Sequence, residues 1–533
     1  VSDFDAYGFV KKSMVRSLDN STVVTQSTYQ HAVDTSRWHL GRLLKSTVTK
    51  NISGAVSVRN ASFGYSVATG LLTNEAVEPN DPRSVGKSYV HDGFGNVIST
   101  SVSANSQSRT AATQYDARGR FPVRETNALG QSTSSTYDSQ KALLLSSTDI
   151  GGKTLWFHYD PFGTLTDTEH PGGTKSAKIT GFATNASVPS SVATLVSGTI
   201  KYFRAKETSG APPAVVYLDA MGRELVGETT ILRDADATGS SRYSKVYVVN
   251  QYDWRGRKIG TSNPFAAGET PAFTFVSYDL LDRNLVTIYP DGGIECVQTY
   301  GIALLDGQPV TYSKILNKNG KTLERWEDQH GRFVQSRDPS GQITRFTYDA
   351  ESRMTAVSVA GQTLLTNTFD LFGNKTAVWE ANSGRSSTVY NGFGEVESAT
   401  NARGDVTRFE YDILGRKTKV SKPEGTYHTQ YDQARGNGIG LPWRTTGPSG
   451  YVEEVSYDSL GRPSATAKTQ FGETFTSSTT YDALGRTLTA TDAGGLIVLH
   501  GYDALSFPVS ITLAGGTPGS VVYGAGTVLW KAG

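Results

Sequence analysis

A six-residue motif, Tyr-Asp-x-x-Gly-Arg, recurs along the 533-residue chain and limits its possible folds more than any other feature. Its clearest copies are Tyr411–Arg416, Tyr457–Arg462 and Tyr481–Arg486. From Tyr348 to Tyr502 the aligned aromatic positions follow each other at intervals of 20 to 26 residues. A repeat of this length holds one supersecondary unit, so the chain is predicted to be an array of small repeats.

The repeat length fits a β-hairpin. Two strands of about seven residues and two turns of about four residues make about 22 residues. A second turn lies between successive motif copies, for example at Asp338–Gly341 and Asn401–Gly404. The segments between turns alternate with a period of two and are rich in Thr, Val, Tyr and Phe, which is typical of strands. The predicted fold class is therefore all-β, and no helix is assigned.

We call the motif-bearing turns Tyr-Asp turns and the intervening ones spacer turns. In a Tyr-Asp turn, the aromatic residue is expected to end a strand and pack on its neighbour. The Asp carboxylate accepts the backbone N–H two residues on, and the Gly supplies a positive φ. The Arg begins the return strand and forms at most a weak, exposed ion pair with the Asp. Where Asp282, Ser352 or Ser506 replaces the Gly, a different turn geometry is expected.

These motif residues are predicted to build structure, and none is assigned a catalytic role. The representative set comprises Tyr115, Asp116, Gly119, Arg120, Tyr411, Asp412, Gly415, Arg416, Tyr457, Asp458, Gly461, Arg462, Tyr481, Asp482, Gly485 and Arg486.

Composition excludes several classes of function. The net charge is +1, from 51 basic and 50 acidic residues, and no basic stripe favours a nucleic-acid partner. The single cysteine, Cys296, leaves no disulfide within the chain and no thiolate metal site. No apolar run is long enough for a helical membrane span.

Motifs for catalysis or cofactor binding are not found either. The eight histidines form no close ligand pair, and neither a nucleophile elbow nor a phosphate-binding loop occurs. Gly436–Gly440 is interpreted as a loop, since no βαβ context surrounds it. Asp234–Gly239 faintly resembles a calcium loop but lacks its spacing. Arg403–Asp405 spells an adhesive tripeptide, yet it falls on a spacer turn. No enzyme activity, metal or cofactor is predicted.

The array is expected to be one continuous body. Its regions are a degenerate part (1–88), regular repeats (89–175), irregular repeats with insertions (176–250) and regular repeats again (251–533). Both ends look like cuts through a longer array, so the chain is interpreted as a fragment. A sheet this wide must twist, and coiling leaves few exposed edges. The array is therefore predicted to coil into a hollow spiral shell or open barrel.

At these motifs the sequence resembles the bacterial Rhs/YD-repeat family, whose relatives include Tc toxin shell subunits and teneurins. The resemblance covers nearly the whole chain and is strongest over 327–505 and clear over 89–175. It implies a secreted or cell-surface bacterial shell that encloses a toxin or effector polypeptide, with the remaining shell, plug and core segments elsewhere in the parent protein. Family toxins end the shell with an Asp-Pro-x-Gly segment whose aspartates release the toxin. Asp338–Gly341 has these letters but lies inside the array, so self-cleavage is not carried over.

Two other functions stay open at the level of sequence. A surface module that binds carbohydrate or protein would use exposed tyrosines and tryptophans, of which the chain has 26 and 7. A glycoside-cleaving enzyme would need a pair of free carboxylates, but the aspartates here are taken up by turns.

Overall fold

The structure is a computed structural model that describes residues 2–16, 23–52, 54–232, 243–514 and 521–524. The loop 234–239 lies outside the described residues. Within these ranges the chain consists almost entirely of β-strands and tight turns. The predicted all-β repeat array is therefore confirmed.

The strands are numbered in chain order. Strands β1 to β15 are Ser2–Phe4, Val10–Arg16, Val23–Asp34, His39–Ile52, Ala55–Tyr65, Leu72–Val77, Val85–His91, Val97–Ala104, Gln107–Tyr115, Pro122–Thr126, Ser132–Tyr137, Leu144–Thr148, Thr154–Tyr159, Leu165–Glu169 and Lys175–Phe182. Strands β16 to β30 are Tyr202–Thr208, Ala214–Leu218, Glu224–Leu232, Tyr243–Tyr252, Lys258–Ser262, Phe265–Ala266, Phe273–Tyr278, Asn284–Ile288, Ile294–Leu305, Gln308–Leu316, Thr322–Glu327, Phe333–Arg337, Ile343–Tyr348, Met354–Val359 and Gln362–Phe369. Strands β31 to β44 are Lys375–Glu380, Gly384–Tyr390, Val396–Thr400, Val406–Tyr411, Lys417–Lys422, Gly425–Tyr431, Pro442–Thr446, Val452–Tyr457, Pro463–Gln470, Glu473–Tyr481, Thr487–Thr491, Ile497–Tyr502, Pro508–Leu513 and Val521–Gly524.

Among the described residues, helical structure is confined to short pieces. One α-helix, α1, spans Ser190–Ala193, and two 3₁₀ turns span Asn185–Ser187 and Pro448–Gly450. The sequence assigned no helix here. A four-residue helix carries no 3.6-residue pattern long enough to be recognised.

Successive strands pair antiparallel as hairpins. Strand β34 pairs with β35 across the Tyr-Asp turn, with Tyr411 opposite Lys417 and a register irregularity at the tyrosine. Strand β33 pairs with β34 across a spacer turn, with Thr400 opposite Val406. Strands of five to eight residues with loops this short account for the 20 to 26 residue repeat.

The chain forms two compact units. The first comprises Val1–Ser134, Gly301–Ser313 and Leu323–Thr429, and the second comprises Ser135–Tyr300, Lys314–Thr322 and Gln430–Gly533. Each unit therefore combines early and late stretches of the sequence.

Most side chains are only partly buried. Among the described residues, ten buried hydrophobic residues form a cluster in the second unit, between residues 183 and 265. The segment that holds α1 contributes Val192 and Ile200, both 0% exposed, and it packs on strand residues such as Leu225, Val226 and Val249. This irregular region thus has a local two-layer core, whereas the regular repeats have exposed positions along most strands.

Among the described residues, no helix is long and apolar enough to cross a membrane.

Candidate functional site

The Tyr-Asp turn is a three-residue hairpin loop closed by its own aspartate. At Asp412, Oδ1 accepts hydrogen bonds from the backbone N–H groups of Leu414 (2.9 Å) and Arg416 (3.0 Å). The N–H of Gly415 donates to the Asp412 carbonyl at 3.0 Å, and this glycine has φ +81°. A type I turn followed by a residue in the left-handed region gives this loop and the irregular register beside it.

The arginine completes the same turn. Arg416 Nε donates to Asp412 Oδ2 at 2.7 Å, and both side chains are only 18% exposed. The other two late motif copies have the same bond at 2.6 Å, from Arg462 to Asp458 and from Arg486 to Asp482. The pair is more buried than the sequence suggested. It is also charge-assisted and well aligned, so it is stronger than an average surface ion pair.

In the copies at Asp458 and Asp482, these bonds lower the pKa of the turn aspartate. Burial alone would raise the pKa of the Asp458 carboxyl, but the backbone and side-chain hydrogen bonds from Arg462 outweigh it and lower the pKa. The pKa of Asp482 is lowered by Arg486 in the same way, against the same effect of burial. Burial raises the pKa of the Tyr457 phenol above its ordinary value. The pKa of Tyr411 is raised by burial first and then by the charge of Glu395.

In six copies the arginine also contacts the next copy. Its guanidinium lies 4.4 to 5.1 Å from the centre of the following aromatic ring in the pairs Arg223–Tyr252, Arg257–Tyr278, Arg332–Tyr348, Arg353–Phe369, Arg462–Tyr481 and Arg486–Tyr502. In several copies the same arginine also donates to the backbone carbonyl of the following aspartate, as Arg486 does to Asp503 at 3.0 Å. One arginine thus closes its own turn and holds the next.

The tyrosine hydroxyl forms a hydrogen bond back to the preceding copy. It donates to the carbonyl of the residue that starts the strand after the preceding Tyr-Asp turn, at 2.7 to 3.2 Å, in the pairs Tyr159–Leu144, Tyr252–Glu224, Tyr278–Lys258, Tyr348–Phe333, Tyr390–Lys375, Tyr411–Val396, Tyr457–Pro442 and Tyr481–Pro463. We call this repeating set of Arg and Tyr contacts the turn ladder. Sequence reasoning missed it because the acceptors are backbone carbonyls, which carry no residue signature.

The early copy at Tyr115–Arg120 has a longer loop. The N–H of Asp116 donates to the carbonyl of Phe121 rather than to that of Arg120, and Gly119 has φ +66°. Asp116 Oδ1 accepts the N–H of Arg120 at 2.6 Å, and this backbone bond is the main cause of its lowered pKa. The Arg120 guanidinium lies over the adjacent Phe121 ring, at 4.8 Å.

Two substitutions at the arginine position keep the closing contact. Asn374 Nδ2 donates to Asp370 Oδ2 at 3.1 Å in place of an arginine. In the next copy the donor and acceptor positions are exchanged, because Asn391 replaces the aspartate and its Nδ2 donates to Glu395 Oε2 at 2.8 Å. In these two copies the position varies in residue type but retains a polar pair.

The three turns that lack glycine do not have the different geometry expected from sequence. Asp282, Ser352 and Ser506 adopt φ of 63°, 64° and 66°, in the same left-handed region as the glycines. The closing bonds are also the same, with the N–H of each donating to the aspartate carbonyl three residues earlier. The side-chain bonds of the turn aspartate hold the loop, and Asp and Ser accept the left-handed conformation at moderate cost.

Spacer turns are closed in a similar way by Asp or Asn. Asp338 Oδ1 accepts the N–H groups of Ser340 and Gln342, both at 2.9 Å. In the spacer turn that contains the adhesive tripeptide, Asn401 Nδ2 donates to Asp405 Oδ2 at 2.9 Å. Asp405 therefore has a role within its own turn.

In the first unit, late Tyr-Asp turns lie against early spacer turns and strands. Lys50 Nζ and Ser57 Oγ contact the Glu351 carboxylate at 2.6 and 2.8 Å. Arg109 pairs with Glu395 at 2.8 Å, and its guanidinium lies 3.9 Å from the centre of the Phe393 ring. These partners are 286 to 301 residues apart in sequence. We call the stretch Val1–Ser134 the early pass of this unit and the stretch Leu323–Thr429 its late pass.

The second unit shows the same relation between its own two passes. Asn437, in the glycine-rich loop, donates through Nδ2 to the carbonyls of Gly151 (2.7 Å) and Ser459 (3.2 Å). Ser506 Oγ donates to the Gly210 carbonyl. Late Tyr-Asp turns thus again lie on early spacer turns, at a sequence separation of 286 to 296 residues.

Within the described residues, no group of three or more His, Cys, Asp or Glu side chains is arranged to hold a metal ion. The turn aspartates are held by arginine and backbone N–H groups, so the site the motif builds is a structural joint.

Comparison with known proteins agrees with this architecture. The family model of the RHS repeat matches residues 328–363, 390–427 and 481–518. The chain therefore carries RHS repeats, and the resemblance read from the motif is confirmed. No curated protein matches the chain by sequence.

Solved structures share the fold. The Tc holotoxin pore of Photorhabdus luminescens, with a TccC3 variant, aligns over 93% of this chain and 38% of its own with a TM-score of 0.62 and 12% identity. The crystal structure of TcdB2-TccC3-Cdc42 covers 92% of this chain and 37% of its own (TM-score 0.57, 12% identity). That of TcdB2-TccC3-TEV covers 96% and 41% (TM-score 0.55, 12% identity). The chain thus spans about two fifths of the length of these structures.

Proposed function

We propose that this chain is a wall segment of a shell that encloses a toxin or effector polypeptide and helps to deliver it. The wall has no catalytic role of its own in this proposal. The remaining shell, plug and core segments would be supplied by a longer parent protein, which is secreted or displayed on a bacterial surface.

The observation that carries the proposal is the joining of repeats at their turns. The turn ladder links neighbouring copies along the array, and the Tyr-Asp turns of a late pass lock onto the spacer turns of an early pass. Such joints hold strands edge to edge without a second layer. The wall can therefore be one sheet thick, which suits a container with space on its inner side.

The thin core supports the same proposal. Outside the cluster between 183 and 265, most side chains on the strands of the described residues are half-buried or exposed, and few are fully buried. A sheet that packed face to face in a sandwich would bury one of its faces almost completely. The fold similarity to the Tc toxin structures favours an enclosing wall over an isolated sheet.

The test is a density map of the parent protein together with limited proteolysis of its downstream segment. The proposal expects a closed wall with weak internal density and a segment that resists protease until the wall is opened. A solid particle, or a downstream segment that is cleaved as fast as the free polypeptide, would contradict it.

A surface-binding function is the alternative, and exposed aromatic residues favour it. Trp254 is 91% exposed and Trp38 is 74% exposed, both in turns. If these residues bind carbohydrate, a glycan array will show hits that Trp254→Ala and Trp38→Ala remove. An array without hits leaves the shell as the explanation of the fold.

A further inference from the structure

The contacts between the early pass and the late pass show how a Tyr-Asp turn docks on a neighbouring pass. In the first unit, the Tyr-Asp turn at Asn391–Glu395 enters the gap between two consecutive early spacer turns. A Cβ atom at Gly392 would lie 2.7 Å from Ala104 Cβ and 3.5 Å from the carbonyl oxygen of Arg83, so the turn touches both. We call such a gap between consecutive spacer turns a seat.

Two of the docked late turns in this unit contact an early-pass arginine in the same two ways. Arg83 donates to Asp370 Oδ2 at 2.7 Å and lies 5.1 Å from the centre of the Phe372 ring. Arg109 pairs with Glu395 and covers the Phe393 ring at 3.9 Å. In these two seats the arginine binds both an acidic group of the docked turn and the phenylalanine in the middle of its loop.

The late pass has spacer turns of its own, and these form an open groove. It has a volume of about 490 Å³ and lies between the spacer turn at 380–384 and the next one at 401–404. Its lining includes Glu380, Ser383, Ala402 and Arg403. Arg403 is exposed and makes no ion pair among the residues that the structure describes. The groove thus has the position and the arginine of a seat, but no turn of the described residues lies in it.

The chain also displays an unused turn of the matching kind. The Tyr-Asp turn at Asp160–Thr164 has phenylalanine in the same loop position as Phe372 and Phe393, and Phe162 is 95% exposed. Asp160 Oδ1 caps this loop through the N–H groups of Phe162 and Thr164, both at 2.9 Å. The loop is therefore preformed, and its aromatic ring is free to enter a seat.

We propose that the groove beside Arg403 is a docking seat for a phenylalanine-tipped Tyr-Asp turn from a further pass of a repeat array. In the docked state the Arg403 guanidinium pairs with the aspartate of that turn and covers its phenylalanine ring. Arg403 then belongs to an array-to-array contact rather than to an adhesive tripeptide. The proposal rests on the contacts between passes and not on what the array encloses.

The chain itself can serve as the probe, because one copy carries both the groove and the Phe162 turn. Two copies then associate head to tail through a contact that is not symmetric, so that larger oligomers grow with concentration. Sedimentation velocity over a range of protein concentrations measures this association. Arg403→Glu and Phe162→Ser are each expected to weaken it by about ten-fold or more, through loss of the ion pair and of the cation–π contact.

Mixing the two variants gives the sharpest test. The Arg403→Glu chain keeps its turn and the Phe162→Ser chain keeps its groove, so an equal mixture should form heterodimers that grow no further. Matched controls are Arg124→Glu, an exposed strand arginine, and Phe182→Ser, an exposed phenylalanine outside any turn; both should associate like the unchanged chain. If Arg403→Glu misfolds, its circular dichroism will differ and Arg403→Ala replaces it.

Three outcomes would overturn the proposal. The unchanged chain could remain monomeric at every concentration, Arg403→Glu or Arg403→Ala could associate as strongly as the unchanged chain, or the mixture could fail to form heterodimers.

Discussion

The arginine of a Tyr-Asp turn stabilises two copies of the repeat at once. Arg486 closes its own turn by bonding to Asp482 at 2.6 Å and donates to the Asp503 carbonyl of the next copy at 3.0 Å. Its guanidinium also lies over the Tyr502 ring. A lysine could supply the charge but not this planar set of donors, which explains why arginine recurs at the position.

Replacement of this arginine should therefore cost more than loss of a surface ion pair. Arg486→Ala leaves a half-buried carboxylate without its partner, and we expect a loss of about 1–3 kcal/mol in the free energy of unfolding. Arg486→Lys should recover only part of it. Urea unfolding and hydrogen exchange over 482–506 measure the effect. Arg124→Ala, at an exposed strand position, is the control and should change stability by about 0.5 kcal/mol or less. Equal effects for Arg486→Ala and Arg124→Ala would refute a role in the ladder.

Backbone strain at the left-handed position gives a second prediction for single residues. Ser352 has φ +64°, so Ser352→Gly should relieve strain and stabilise the protein by roughly 0.5–1 kcal/mol. Gly373 occupies the same position in the next copy with φ +95°, and the nearest atom to an added Cβ is Arg353 Nη1 at 3.5 Å. Gly373→Ala should therefore destabilise through its backbone alone. The two changes should shift the thermal midpoint in opposite directions; shifts of the same sign would show that the turn adopts another conformation in solution.

At the scale of elements, the hairpins follow from contacts that are local in sequence. An Asp caps its turn through a backbone N–H no more than four residues away, as Asp412 does. The side chains of the strands alternate with a period of two. Both signals lie within one repeat, so the hairpins can be predicted from the sequence. The four-residue helix α1 has no such pattern. The seats are also invisible to sequence reasoning, because partners such as Arg109 and Glu395 are 286 residues apart and no local motif marks them.

The segment around α1 contributes to a conventional hydrophobic core. Ile200 is 0% exposed in the cluster, and Ile200→Ala should destabilise by about 2–5 kcal/mol because it leaves a cavity. Ile302, on strand β24, is 84% exposed and provides the matched control. Ile302→Ala deletes the same side-chain atoms at a solvent-exposed position, where no cavity is left. Thermal unfolding of both variants decides the point. If they have the same midpoint, the cluster does not form a packed core.

For the whole molecule, many similar turns give a common response to acid. The pKa values of Asp253, Asp458 and Asp482 are all lowered from the ordinary 3.8, because hydrogen bonds from the turn outweigh the effect of burial. Near pH 3.8 the unfolded chain therefore binds more protons than the native one, and stability rises with pH. The contribution of these groups is complete above this pH and is lost as the pH falls through their native values.

Acid titration of the unfolding midpoint tests this expectation. Stability should fall steeply below about pH 3.8 as the turn aspartates protonate together. Asp482→Asn keeps the side-chain oxygen that caps the turn but cannot ionise, so its midpoint should depend less on pH in this window. A midpoint that does not change between pH 5 and pH 2.5 would contradict the native ionisation of these carboxylates.

The contacts between passes decide whether each unit behaves as one cooperative body. If neighbouring hairpins were the only contacts, stability would be a sum of local terms and distant repeats would unfold independently. The pair Arg109–Glu395 joins residues 286 apart, with side chains 21% and 15% exposed. A double-mutant cycle of Arg109→Ala and Glu395→Ala should therefore give a coupling free energy of about 0.5–3 kcal/mol. Hydrogen exchange should show that Arg109→Ala also loosens the turn at 391–395. Additive effects together with unchanged exchange would mean that the passes touch without stabilising each other, and that the array unfolds repeat by repeat.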